Sequence, residues 1–538
     1  MVDYSLDYSR PFSGGRSTVF GLSGAVACEH PQAARAGIRV LDEGGTAADA
    51  CVAMAAVMAV VAPMATGMGG DAFAIYYDAA SSEVSGLEGA GRAPGAATIE
   101  RLRETGYRRM PERGGLSVTV PGAVRLWEDA ARSFGCRPLR ELLEPARTLA
   151  EEGFPVPEVA AHHWREAEEL LRRNESAARI FLPSGRAPEP GEVFRQPELA
   201  DTISSVAEGG AGAFYAGKTA ARIASAVRRD GGLLSEEDLA AHAGSRFVEP
   251  ISTVYRGVTV HEMPPPGQGI AALQMLNVLG GYTLSALHSQ TAERIHLETE
   301  AKKLAFSDLY GRVGDPDFAA VPTERLLSKG YAAGMRRQIS TSRAGHLATS
   351  GRLGDDTTYL CAVDAAGNGC SFINSVFESF GSGVVADGTG VCLQNRGSSF
   401  RLDESHPNAL APYKRPLHTI IPGLATRGDA LWAAFGVMGG PMQPQGHVQL
   451  LVNLIDYEMS PQQALDHPRH FHTDDGGLLV ERRVPEGELD KLRSMGHRVE
   501  AGPDYAVPTG AGQLIRLTPD GVRACASDPR KDGCALVQ

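Results

Sequence analysis

The chain has 538 residues, a formal net charge of -12 and no concentrated basic run. That balance excludes a polyanionic partner such as nucleic acid, which needs a basic surface to displace counterions. With 43% hydrophobic residues the chain can bury a large core, and no composition break marks a flexible junction, so one layered globule is expected.

The first twenty residues carry neither a basic stretch nor a continuous apolar stretch, so no secretory signal is visible and the expected location is the cytoplasm. The longest apolar run, residues 50–62, is too short to span a bilayer. Eight cysteines without a C-x-x-C pair read as free thiols. The histidines never take a ligand spacing such as H-E-x-x-H. His467, His470 and His472 cluster locally and are read as packing and hydrogen-bonding groups, so no metal or other cofactor is expected.

In chain order, a strand is predicted at Gly24 to Cys28, then a helix from Pro31 to Glu43 closed by Gly44-Gly45. A second helix, Ala47 to Val61, is small and apolar throughout, as a helix between layers should be. The Gly-rich turn TGMGGD leads into a strand from Ala72 to Tyr77. Residues 125–335 read as a helical lobe, with a capping box at Ser235 and Asp238; after the prolines of MPPPGQG at 263–269, IAALQMLNVL reads as a buried helix.

Residues 339–356 are small and polar without periodicity and read as an exposed, mobile segment. The pattern then changes to a hairpin, TTYLCAVD, AAGN, GCSFINSV, which puts Thr357 where a loose segment meets a strand. LWAAFGVM predicts a strand that breaks at Gly439-Gly440 before an amphipathic helix. A closing hairpin spans GQLIRLTPDGVRACASDP, and the whole reads as layered α and β.

Threonine is a weak nucleophile unless a base lies beside it, and an N-terminal threonine brings its own in the α-amine, whose ordinary pKa is about 8. Such a residue is made by cutting the chain, and a loose segment before Thr357 with a strand after it meets that need. A strand, Gly439-Gly440 and then a helix would offer unobstructed backbone N–H groups to an oxyanion.

The ordered blocks GGTAADA at 44–50, TGMGGDAF at 66–73, SVTVPGAV at 117–124, MPPPGQG at 263–269, DDTTYLCAVDAAGN at 355–368, KRPLHTIIP at 414–422, GVMGG at 436–440 and ASDPR at 526–530 resemble the γ-glutamyltranspeptidase family. The resemblance implies an αββα sandwich of the N-terminal nucleophile hydrolase type, made as a zymogen and cut between Asp356 and Thr357. The products would be a large fragment, 1–356, and a small one, 357–538, held as a heterodimer that could pair further. It assigns the oxyanion glycines to Gly439 and Gly440 and a supporting hydroxyl to Ser375.

The family's glutamyl-recognition set carries over poorly. The arginine that grips the substrate carboxylate is Ala90 here, with Arg92 two residues on. An asparagine after the nucleophile is replaced by Phe377, a glutamine and aspartate by Arg396 and Ser399, and two serines by His418 and Thr419. Each lost contact leaves part of a zwitterionic glutamyl group unpaired, at about 1–3 kcal/mol apiece. The expected substrate is therefore a small anionic molecule without the α-amino group, bound by Arg92, Arg396, Ser399, His418 and Thr419. This pattern resembles the family's divergent branch, with oxamate-amidohydrolase-like and cephalosporin-acylase-like members. The alternatives are a true γ-glutamyl hydrolase or transpeptidase, a natural-product enzyme hydrolysing a carbon–carbon bond, and a non-catalytic scaffold.

Overall fold

A computed structural model describes residues 16–345 and 356–538. Two seven-stranded sheets lie face to face. From edge to edge, one runs Val19–Gly21, Arg523–Ser527, Gly512–Leu517, Ala430–Val437, Gly423–Arg427, Val258–Glu262 and Ile251–Tyr255. The other runs Cys534–Val537, Ala25–Cys28, Asp356–Val363, Gly369–Phe377, Asp71–Asp78, Glu83–Gly89 and Arg246–Val248. Neighbours in both sheets are antiparallel.

Three buried layers account for the architecture. Between the sheets pack Phe73, Ile75, Tyr359, Ile373, Ile420, Leu424 and Ile515. Outside the second sheet lie the helices Pro31–Asp42, Ala47–Val61, Ala123–Phe134 and Leu139–Glu152, and outside the first lie Gly269–Leu279, Ala292–Arg312 and Met442–Ile455. The result is the expected αββα sandwich. Ala47–Val61 is buried along its whole length and starts at a Thr46–Asp49 capping box, which satisfies end N–H groups that have no access to water.

Most predicted elements lie within a residue or two of their expected bounds, including the Thr357 hairpin and the helix after MPPPGQG. The middle region differs. Residues 246–262 are not helical but form three strands, Arg246–Val248 at the edge of one sheet and the Ile251–Tyr255 and Val258–Glu262 hairpin at the edge of the other. Their alternation of buried and exposed residues, visible in ISTVYRGVTVHE, was overridden in the sequence reading by the helical periodicity on either side.

Of the expected mobile segment 339–356, residues 346–355 lie outside the described residues. The part before them is pinned: Ala344 N–H donates to the Met495 carbonyl at 2.7 Å and Gly345 N–H to Glu300 at 3.1 Å. No described helix is long and apolar enough to cross a membrane.

Candidate active site

Sheet register brings the candidate residues to one edge of the sandwich. Gly369 packs on Leu431 and Ser371 Oγ reaches the Phe435 carbonyl at 3.4 Å, so the Gly369–Phe377 and Ala430–Val437 strands run the same way across the interface. Their far ends therefore deliver Ser375 and Gly439 to the same edge. Within its own sheet Ser375 sits directly opposite Asp71, and the pairing shifts between Asp356 and Thr358, a bulge centred on Thr357. Bulges of this kind re-aim a side chain.

Thr357 is 1% exposed, and its Oγ1 hydrogen-bonds Ser375 Oγ at 3.2 Å. Ser375 Oγ accepts the Phe377 N–H at 2.8 Å and Arg396 Nη2 at 3.2 Å. Phe377 holds φ at +85°, a strained value for a bulky side chain, and this leaves its ring under the Arg396 guanidinium at 4.6 Å. Arg396 Nη1 donates to Thr419 Oγ1 at 3.0 Å.

From Thr419 the network continues through Gln268. Its Nε2 donates to the Thr419 carbonyl at 2.5 Å and to the Gly440 carbonyl at 2.7 Å, and its backbone N–H donates to the His418 carbonyl. One side chain thus fixes the 418–419 segment against the Gly439-Gly440 turn. The two glycines take φ of +117° and +52°; a Cβ at Gly439 would come within 3.3 Å of Gly510 and Met442. The turn is closed by hydrogen bonds from Met442 N to Gly439 O and Gln443 N to Gly440 O. A continuous path runs from Thr357 through Ser375, Arg396, Thr419 and Gln268 to Gly440.

Asp71 is the residue the sequence reading missed. Its Oδ1 accepts N–H groups from Gly91 (3.1 Å), Gly122 (2.9 Å) and Gln394 Nε2 (2.9 Å), and its Oδ2 accepts His418 Nε2 at 2.9 Å with Arg396 Nε at 3.6 Å. The signal was present in TGMGGDAF, where an acid opens a strand that should be apolar.

The missing aspartate at Ser399 is therefore not the whole story, because an acid reaches the cluster from another strand. Arg396, expected to offer its charge to a substrate, already has a counter-ion, and burial lowers its pKa to about 10, so it stays charged. Burial, and then the charge of Arg396, push His418 down to about 3, leaving a neutral imidazole whose Nδ1 has no hydrogen-bond partner among the described residues.

The other candidates separate. Ser399 Oγ donates to the Leu417 carbonyl at 3.2 Å and braces the 417–419 segment. Arg92 is not brought to the cluster: it is partly exposed, donates to the Tyr413 carbonyl at 3.3 Å, and lines a different cavity of about 330 Å³ together with Ala90.

The neutrality of His418 has a consequence for pH. Its folded-state pKa is depressed below the unfolded 6.5, so the unfolded chain takes up the proton first and stability falls as pH drops from about 6.5 toward 3. Between pH 6.5 and 5 this one group costs on the order of 2 kcal/mol. Unfolding midpoints at those two pH values should draw together in His418→Phe relative to the parent; an unchanged difference would remove His418 from the titration.

The layered fold, with a hydrogen-bonded path from buried Thr357 to the Gly439-Gly440 turn, fits the N-terminal nucleophile amidohydrolases. The chain belongs to the γ-glutamyltranspeptidase family, whose model, described as Gamma-glutamyltranspeptidase, matches residues 33–537. It is 39% identical to the glutathione hydrolase-like YwrD proenzyme of Bacillus subtilis, over 96% of this chain and 99% of that one. It is 33% identical to the oxamate amidohydrolase proenzyme of Klebsiella pneumoniae, over 95% and 98%. The crystal structure of cephalosporin acylase from Bacillus halodurans superposes with a TM-score of 0.92 at 40% identity, covering 99% of both chains.

Proposed function

We propose that the chain is a zymogen cut between Asp356 and Thr357, and that Thr357 then hydrolyses an amide-type bond of a small anionic substrate lacking an α-amino group. The observation that carries this reading is the seating of Thr357 Oγ1 on Ser375, at the head of a buried network that ends on Gly440. Thr357 Oγ attacks the carbonyl carbon while its freed amine takes the hydroxyl proton, and N–H groups at Gly439-Gly440 hold the oxyanion. The carbon–nitrogen bond breaks as the amine passes the proton to the leaving nitrogen. Water then opens the threonine ester and releases the acid.

Strands from either side of the cut are interleaved in one sheet, Ala25–Cys28 lying between Cys534–Val537 and Asp356–Val363, so the two fragments stay joined as a heterodimer.

Asp71 favours a second reading, γ-glutamyl hydrolysis, since an acid in the cluster could meet a substrate ammonium. Its acceptor capacity counts against this. A carboxylate has about four lone-pair sites, and two backbone N–H groups, Gln394 and His418 occupy them with Arg396 alongside. The names of the oxamate amidohydrolase and cephalosporin acylase relatives agree with the first reading, and that of the glutathione hydrolase-like YwrD proenzyme with the second.

Side-by-side assays with γ-glutamyl-p-nitroanilide, glutaryl amides and oxamic acid test it. Turnover of a glutaryl amide or oxamic acid is expected at a kcat/KM at least about tenfold above the γ-glutamyl donor, the factor that one unpaired buried polar group costs. Efficient γ-glutamyl transfer to a dipeptide would establish the second reading instead.

A further inference from the structure

The three histidines that cluster in the sequence are taken up singly: His467 bonds Ser289 Oγ at 3.1 Å, His470 faces Glu298 at 3.4 Å and His472 faces Lys302 at 3.3 Å. A different set converges. His296 and Glu300 are one turn apart on the Ala292–Arg312 helix, which puts both on one face. His497 meets them from the turn between the Glu486–Ser494 helix and the Arg498–Gly502 strand. There its N–H donates to the Leu492 carbonyl and its carbonyl accepts the Val499 N–H, both at 3.1 Å. All three residues are buried, and one ligand atom from each lies within 4.8 Å of the other two.

Hydrogen bonding sets the ligand atoms. His296 Nε2 lies 2.6 Å from the Ser340 carbonyl. A carbonyl only accepts, so Nε2 carries the hydrogen, and the neutral ring keeps a lone pair on Nδ1, 2.8 Å from His497 Nε2. One ring N–H held by a backbone carbonyl with the other nitrogen left free is the arrangement of a metal-ligating histidine. Glu300 is oriented too, by the Gly345 N–H on Oε2 at 3.1 Å and Lys303 Nζ on Oε1 at 2.6 Å. Each carboxylate oxygen has two lone pairs, so both bonds leave room for a metal. The Lys303 ammonium, which also donates to the Gly345 carbonyl at 3.1 Å, is the one group here that opposes a cation.

We infer that His296 Nδ1, His497 Nε2 and the Glu300 carboxylate bind one zinc ion, with water completing the tetrahedron. Two imidazoles and one carboxylate are a zinc set, and imidazole disfavours the hard cations magnesium and calcium. Two nitrogens on a tetrahedral zinc stand about 3.3 Å apart, so the histidines must open by about half an ångström and His497 must carry its hydrogen on Nδ1. The ion is structural. The same groups hold residues 340–345: His296 bonds Ser340, Glu300 and Lys303 bond Gly345, and Met495, two residues before His497, bonds Ala344. Zinc therefore ties the helix, the 495–497 turn and this segment into one piece. The site does not depend on the chemistry of Thr357.

The test is a titration of zinc chloride into the full-length protein after dialysis against EDTA, with affinity read by competition against a chromophoric chelator and metal content by mass spectrometry. The wild type should take up one zinc per chain with micromolar affinity or tighter, and its thermal unfolding midpoint should rise with zinc. His497→Phe should weaken binding by about a hundredfold or more, since even loss of an outer partner of a ligand costs about 10–100-fold. If His497→Phe does not fold, Glu300→Gln gives the same comparison. Lys303→Met removes the opposing ammonium and no ligand, so it should bind zinc at least as tightly as the wild type. His162→Ala breaks up the exposed His162–Glu166 pair, a place where zinc could stick adventitiously, and should change nothing. No zinc uptake by the wild type, weaker binding in Lys303→Met, or binding that is lost in His162→Ala and kept in His497→Phe overturns the assignment.

Discussion

Thr357→Ala is expected to leave one uncut chain with hydrolase activity reduced by roughly 10⁵-fold or more, as when a covalent nucleophile is removed. The same hydroxyl would serve twice, first on the peptide carbonyl of Asp356 and then on the substrate, so cutting and turnover must be lost together. Its surroundings predict that the loss is chemical: Thr357 is buried against Ser375, and removing a hydroxyl and a methyl group leaves the flanking strand pairs Tyr359–Ile373 and Leu360–Cys28 intact. Circular dichroism and gel filtration of the variant should match the parent. Thr357→Ser, which keeps the hydroxyl, should still be cut, more slowly. Cutting of Thr357→Ala at the same bond would assign the nucleophile elsewhere.

The second large effect is on stability. Asp71→Ala removes the counter-ion of a fully buried arginine together with the acceptor for two backbone N–H groups, Gln394 and His418. Breaking one side of a buried pair costs about 3–5 kcal/mol, because the other charge is left uncompensated. Urea unfolding of Asp71→Ala should show a loss of that size. Removing the stranded charge as well, in Asp71→Ala with Arg396→Met, should recover about 2 kcal/mol or more of it. If Asp71→Ala does not fold, the milder Asp71→Asn gives the same comparison. A double variant no more stable than the single one would mean that Asp71 serves the backbone N–H groups alone.

The separate helices and strands were legible because their signals are local, while the sandwich came from the resemblance. The uniformly apolar Ala47–Val61 helix, the turn at AAGN and the break at Gly439-Gly440 each act within a few residues, and the order of the family blocks supplied the rest. The strands at 246–262 were missed although their alternation is present, since each is short and the sequence on either side reads as helical. In the site, Thr357, Ser375, Arg396 and Thr419 come together as read, whereas Arg92 sits in another cavity.

Asp71 and Gln268 escaped for one reason. Their roles depend on partners 347 and 172 residues away in sequence, His418 and Gly440, and no local pattern encodes such pairings. Gln268 could have been flagged as a polar side chain in a Pro- and Gly-rich turn that runs into an apolar helix.

The central claim is that Thr357 becomes an N-terminus, and intact-mass spectrometry of the purified wild-type protein with N-terminal sequencing of its fragments tests it most directly. The expected result is two fragments that co-elute under native conditions, the smaller beginning Thr-Thr-Tyr-Leu and ending at Gln538. An active protein that remains a single chain, or a small fragment beginning at any other residue, would contradict it.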